Sequence, residues 1–219
     1  MTRTGPVVLV TGFEPFAGET VNPSLEIARA LDGGSVAGHR IVGAGLPTEF
    51  LRALPELDAL MARHDPRLVL ALGQAGGREG ISLERVAVNL IDARIADNAG
   101  AQPIDVPVAA EGPNAYFSTL PIKAMLARLK EARIPAALSH SAGTFVCNQV
   151  FYGLAHALAT RHRGIRGGFV HVPYLPEQAQ RHTGAPSMAL DAMVAAVRLC
   201  LETALTTADD LHYAAGTTH

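Results

Sequence analysis

Four short apolar runs recur along the chain, each breaking soon after at glycine or proline: Val7-Val8-Leu9-Val10, Ile41 to Leu46, Leu68-Val69-Leu70-Ala71-Leu72 and Gly168-Phe169-Val170-His171-Val172. None alternates polar with apolar, so each reads as a strand buried on both faces, as in a parallel sheet sandwiched between helices. Helical patterns lie between them. Asn22 caps a helix that Pro23 opens, with Leu25, Ile27, Ala28 and Leu31 on its inner face. A second helix follows from Thr48, interrupted or restarted near Pro55, and others cover Pro121 to Ala132, Cys147 to Arg161 and Pro186 to Leu205. Arg85 to Ile91 alternates as a strand does, and Ala136 to Ser139 is a short strand. The expected fold is α/β: a single-domain α/β/α sandwich around a mostly parallel, twisted sheet.

The 219 residues suffice for one core, and no linker or repeat divides them. Residues 1–205 are therefore expected to form one domain, with 206–219 as a loose tail. Residues 95 to 118 are rich in turn formers (Asp97-Asn98-Ala99-Gly100, Pro103, Pro107, Gly112-Pro113-Asn114) and read as an excursion, a lid or an interface arm. Apolar residues make up 48% and charged residues 17%, so the chain is globular, and a formal net charge of −2 offers nothing to nucleic acid or an anionic membrane. No run approaches the ~20 apolar residues of a membrane span, and the N-terminal apolar run is too short for a signal peptide, so a cytoplasmic location is expected. Two cysteines, Cys147 and Cys200, are too few for a disulfide scaffold, and neither they nor the nine histidines show metal-site spacing, so no metal or cofactor is expected.

In such sheets, chemistry gathers where strands end and loops begin. Four loops qualify: Thr11 to Asn22, Gly73 to Glu84, Ser139 to Asn148 and His171 to Gln178. The third places Cys147 at the start of a helix, where unpaired N–H groups and the helix dipole favour a thiolate and could receive an oxyanion. The same position also suits a small buried hydrophobe. Cys200 lies in helical register with Met193, Ala196, Val197 and Ala204 and reads as core. A thiol nucleophile needs a base: His171, at the end of a strand, competes with His140, nearer in sequence, and with a purely structural role for either. His156, His162 and His182 read as solvated. Glu84 is the best-placed carboxylate to orient an imidazole, unless it is an ordinary solvated glutamate. The glycine-rich stretch Gly73-Gln74-Ala75-Gly76-Gly77 also raises phosphate binding, but neither GxxxxGK[ST] nor a helix-opening GxGxxG is present.

Together these loops resemble the pyroglutamyl peptidase family. The matching pieces are TGFEPFAGETVNPS (Thr11 to Ser24), ALGQAGGREGISLERVAVNLIDARIADNAG (Ala71 to Gly100), SHSAGTFVCNQVFY (Ser139 to Tyr152) and FVHVPYLPEQ (Phe169 to Gln178). The resemblance runs from Val7 to about Leu205. It implies a triad of Cys147, His171 and Glu84, an α/β fold, a cytosolic location, homo-oligomers, often tetramers, and removal of N-terminal pyroglutamate from peptides through a thioester. It also suggests an electrostatic role for Arg94 at the oxyanion. Pyroglutamate is a small neutral lactam, so Phe13, Phe16, Phe145 and Val146 are candidate walls and Asn22 or Gln74 candidate polar contacts. The chain departs from the family at Phe16-Ala17-Gly18, where FGG is usual, and at His140, where asparagine is common. A catalytically dead module that merely holds capped peptides is the rival to an enzyme.

Overall fold

Strands without polar alternation need helices on both sides, and the computed structural model, which describes residues 5–216, supplies them. The elements are β1 (Val7–Phe13), α1 (Pro23–Leu31), β2 (Ser35–Val36), β3 (His39–Leu46), α2 (Ala53–His64), β4 (Leu68–Gln74), β5 (Ile81–Glu84), β6 (Val86–Val88), β7 (Ala115–Phe117), α3 (Ile122–Glu131), β8 (Ala136–Ser139), α4 (Val146–Thr160), β9 (Arg166–Val172), α5 (Pro176–Ala179) and α6 (Leu190–Thr206). Seven strands form one sheet in the order β2-β3-β1-β4-β9-β5-β8. β3, β1, β4 and β9 run parallel, whereas β5 is antiparallel to β9 and parallel to β8. The expected α/β/α sandwich is present, with the short β2 at one edge and the β5–β8 pair at the other running against the rest of the sheet.

Successive strand side chains divide between two cores. Val8, Val10, Leu70 and Leu72 pack with Ile27 of α1, Leu129 of α3 and Val197 of α6. Leu9, Val69, Ala71 and Phe169 pack with Leu57 of α2 and Phe151 of α4. Burying a ring such as Phe169 contributes about 1.5–3 kcal/mol over leaving it exposed. Cys200 lies in the first core, as its helical register implied.

Several boundaries differ from the sequence reading for local physical reasons. α2 starts at Ala53 rather than Thr48, and Pro55 is its third residue, where a missing N–H costs no intrahelical bond. The expected strand Arg85 to Ile91 is instead β5 ahead of it and the short β6 within it. Beyond Val88 the fully buried Asn148 substitutes for a ladder partner: its Oδ1 accepts from Val88 N, and its Nδ2 donates to the carbonyls of Val88 and Leu90. α6 starts at Leu190, so Pro186 to Ala189 precede it.

The 95–118 excursion carries β7, which pairs with β6, and an Ile91–Val106 bridge. Asp97 organises its first turn, accepting from the N–H groups of Phe50, Ala99 and Ala101. The tail after α6 is irregular but tied down. Asp210 accepts from the N–H groups of Lys123 and Ala124, capping α3, whose own N-cap Pro121 has no side-chain donor or acceptor to offer. Arg166 donates to the carbonyl of Thr207, and Arg85 to that of Ala215. Residues 217–219 of the tail and 1–4 of the expected domain lie outside the described residues.

Candidate active site

Three of the four loops singled out from the sequence leave the sheet at the carboxyl ends of β1, β4 and β9. The fourth starts from β8, which runs the other way, and carries the chain back to the head of α4. There Cys147 is the second helical residue, half-buried, and among the described residues no side chain caps the first turn. A β-carbon placed on Gly73 would come within 2.9 Å of Cys147 Sγ and 2.8 Å of the Phe169 ring. The sulfur therefore lies over β4, on the face that holds Phe169. Gly73 pairs in register with His171 on β9, and the His171 ring packs on Phe169 with centroids 4.9 Å apart. Sulfur and imidazole thus share one face of two adjacent strands.

The imidazole is buried and fixed from its far side: His171 Nδ1 and Glu84 Oε1 are 2.8 Å apart. Glu84 is not the loop residue expected but the last residue of β5, fully buried. A third group, which the sequence reading missed, reaches the same oxygen. Arg78 Nη1 donates to Glu84 Oε1 at 2.6 Å, and its Nη2 donates to the Ser141 carbonyl at 3.2 Å. The basic residue inside GQAGGREG was the available signal, hidden by the attention that its glycines draw.

Burial pushes the Glu84 carboxyl up, but the bond and charge of His171, with Ser139 and Arg78 behind them, outweigh it and hold the group below its ordinary range. Burial pushes His171 below the usual imidazole value, with Arg78 acting in the same sense and Glu84 opposing. Glu84 is then an anion and acceptor only, so Nδ1 carries the imidazole proton and Nε2 keeps a lone pair. Burial and the charge of Glu84 push the Cys147 thiol up to about 12, against a lowering by Arg78. Burial thus opposes the thiolate that the helix start favours, and it favours the neutral form of the imidazole beside it.

Residues 7–207 match the profile of the pyroglutamyl peptidase family. The chain belongs to that family. It is 57% identical over 212 residues to the pyrrolidone-carboxylate peptidase of Chromobacterium violaceum, covering 97% of this chain and 99% of that one. It is 55% identical over 214 residues to pyrrolidone-carboxylate peptidase 1 of Ralstonia nicotianae, covering 98% and 100%. The crystal structure of pyroglutamyl peptidase I from Bacillus amyloliquefaciens superposes with a TM-score of 0.93 at 44% identity, covering 96% of this chain and 100% of that one.

The remaining candidates separate by what already engages them. Phe16 and Phe145 are half-buried and face each other at 6.1 Å, and Phe50, unremarked in the sequence, meets Phe145 edge-on at 5.2 Å. Phe13 is buried against Phe169, and Val146 is fully buried. Asn22 is taken up by structure, capping α1 through Ser24 and donating to the Glu14 carbonyl. Gln74 accepts at Oε1 from Gln178 Nε2, which leaves its own amide nitrogen outside that bond. Arg94 is exposed and makes no ion pair among the described residues, although neighbouring Asp92 is bonded to Thr144 through both backbone groups.

Two histidines expected to be solvated also hold specific partners. His156 bonds to the Tyr116 hydroxyl, and His182 bonds to Glu19 and stacks on Tyr174 at 4.5 Å. Glu19 also receives Arg181 and Gln178. The segment after β9 is thereby fastened to the loop that carries Phe16. In that loop Ala17, where the family has glycine, adopts φ +52°, a left-handed conformation that costs an alanine roughly 1–2 kcal/mol.

Proposed function

We propose that this chain hydrolyses the bond joining an N-terminal pyroglutamate to the rest of a peptide, with Cys147 as nucleophile, His171 as base and Glu84 as the group that orients it. The observation that carries the reading is the 2.8 Å contact between His171 Nδ1 and Glu84 Oε1, on the face over which the Cys147 sulfur lies. The Cys147 proton passes to His171 Nε2 as sulfur bonds to the acyl carbon. The resulting oxyanion meets the N–H of Cys147 at the helix start, and Arg94, whose exposed side chain has no competing ion pair among the described residues, adds its charge. The C–N bond then breaks, His171 returns the proton to the departing amine, and a thioester remains. His171 next takes a proton from water, whose oxygen attacks the thioester and releases pyroglutamate and the thiol. No step uses a metal or cofactor.

Phe16 and Phe145 form the apolar slot for the lactam, with Phe13 and Val146 as its buried support. Gln74 offers its amide nitrogen to the lactam carbonyl, while Asn22 holds the loop. In line with the family resemblance, the enzyme works in the cytoplasm as a homo-oligomer, a tetramer. Leu51 and Phe117, 83% and 71% exposed, are the apolar side chains that partner copies would cover. No helix of the described residues is long and apolar enough to cross a membrane.

The test is hydrolysis of a pyroglutamyl amide with and without iodoacetamide, beside prolyl and glutaminyl amides of the same leaving group. Turnover of the pyroglutamyl compound alone, abolished by alkylation, is expected. Binding without turnover would identify a holding module instead. Equal kcat/KM for the prolyl compound would remove the lactam slot. His171→Ala should lower turnover at least ~10²-fold and His140→Ala far less.

A further inference from the structure

Arg78 approaches the site by an unusual route. It lies in the loop between β4 and β5, just past Gly77, whose φ of +88° turns the chain. Its guanidinium spans two acceptors far apart in sequence, the Glu84 carboxylate and the Ser141 carbonyl. The first belongs to the support of the imidazole, the second to the loop that delivers the nucleophile. A planar fork can hold both at once, which an ammonium cannot do with the same geometry. This is no surface ion pair: the Arg78 side chain is 32% exposed, but that of Glu84 is 0% exposed.

We propose that Arg78 is a positioning residue of this site, holding Glu84 by the oxygen that also receives His171 and tying that carboxylate to the loop that presents Cys147. The proposal rests on the assignment of Cys147, His171 and Glu84 made above. Arg78 acts through Glu84 in two ways. It restricts the carboxylate to one orientation, so the imidazole that leans on it is restricted too. It also offsets the carboxylate's charge, which would otherwise draw a proton onto the imidazole. Around His171 lie Glu84 and Ser82 of β5, Arg78 of the loop, Cys147 of α4 over the paired Gly73, and the Phe169 ring, while Ser139 of β8 bonds Glu84. Of these only Arg78 is a fixed cation, so its removal leaves the imidazole easier to protonate. The working base form of His171 is then lost at a higher pH.

The test is Arg78→Ala in the full chain, assayed on a pyroglutamyl amide across pH, beside Arg78→Lys. A cavity of about 910 Å³, lined by Arg78, Ser82, Ala137, Ser139 and Ser141, borders the side chain and admits a small cation. For Arg78→Ala, kcat should fall roughly ten- to a hundredfold, as for other outer partners of active-site groups, with KM nearly constant. The ascending limb of the kcat/KM profile should move to higher pH, and millimolar guanidinium ion should restore part of kcat. A change confined to KM, or an unmoved limb with no rescue in a folded variant, overturns the proposal. If Arg78→Ala does not fold, Arg78→Lys decides. Charge kept and bridge lost should give a lower kcat at an unmoved limb, and wild-type kcat there would overturn the idea. Turnover by Cys147→Ser would refute the site assignment itself, separately from either Arg78 result.

Discussion

Gly73 and Cys147 are in contact across the gap between a strand and a helix start, so close that no β-carbon fits between them. Gly73→Ala would put a methyl group 2.9 Å from Sγ and 2.8 Å from the Phe169 ring. One of them must move. The expected cost is about 1–3 kcal/mol of overpacking, with a disproportionate loss of kcat because the sulfur is the easier group to displace. Urea unfolding and turnover measured on the same variant check this, and wild-type kcat would show that the sulfur works from elsewhere.

The two cysteines should part company under conservative replacement. Cys147→Ser is expected to end turnover while leaving the fold intact. Cys200→Ser buries a hydroxyl in the α6 core, costing roughly 1–3 kcal/mol if no partner is found, yet should leave kcat unchanged. An inactive, stable Cys200→Ser enzyme would reverse the assignment.

The Cys147 thiol, pushed up to about 12 by burial and by Glu84, should alkylate ever faster as pH rises beyond 9. Inactivation by iodoacetamide follows Cys147 without interference from Cys200. A rate already level at neutral pH would reveal a resident thiolate and mean that the helix start outweighs burial.

Acid should weaken the fold in two stages. His171 has a lowered value, so between that value and about 6.5 the unfolded chain binds a proton that the native state refuses. Stability is present above about 6.5 and declines as pH falls below it. Glu84, also lowered, adds its loss once pH falls below about 4.3, where the unfolded carboxyl protonates. Urea midpoints at pH 7.5 and 5.5 measure the first stage. An equal or higher midpoint at 5.5 would mean that His171 is not held neutral.

Gln178→Ala should loosen the loop that bears Phe16. The buried Gln178 amide accepts from Leu175 N and donates to Gln74 Oε1, Val21 O and Glu19 Oε2. Its loss strands several polar groups, at about 1–3 kcal/mol each where water cannot reach them. KM is expected to rise more than kcat falls. Unchanged KM and unfolding midpoint together would show that the fastening is idle.

The sequence made the parallel strands legible because burial on both faces leaves an unmistakable apolar run. Cys147 and His171 were legible because each stands at the boundary of an element that periodicity defines. Glu84 was found as a residue but placed wrongly: the strand it ends, Ile81 to Glu84, is too short and mixed to announce itself between a glycine loop and β6. Arg78, Asn148 and Gln178 were beyond reach as structural ties. Each has at least one partner dozens of residues away, and a side chain that reaches so far looks in sequence like a solvated one. Asn22 shows the converse, since its local capping role fully explains a residue that the loop's chemistry had made attractive.

The reversal of β5 has a consequence for how the site would fail. Glu84 sits at the end of a strand flanked by β9 on one side and β8 on the other, while Cys147 is reached through an irregular stretch from 140 to 145. Amide hydrogens around Leu83 should exchange only when the sheet itself opens, whereas those of the 140–145 stretch should exchange through local fluctuations. Heat would then disarm the nucleophile's approach well before it disturbs the carboxylate, so a warmed enzyme would fall silent while still folded and regain its rate on cooling.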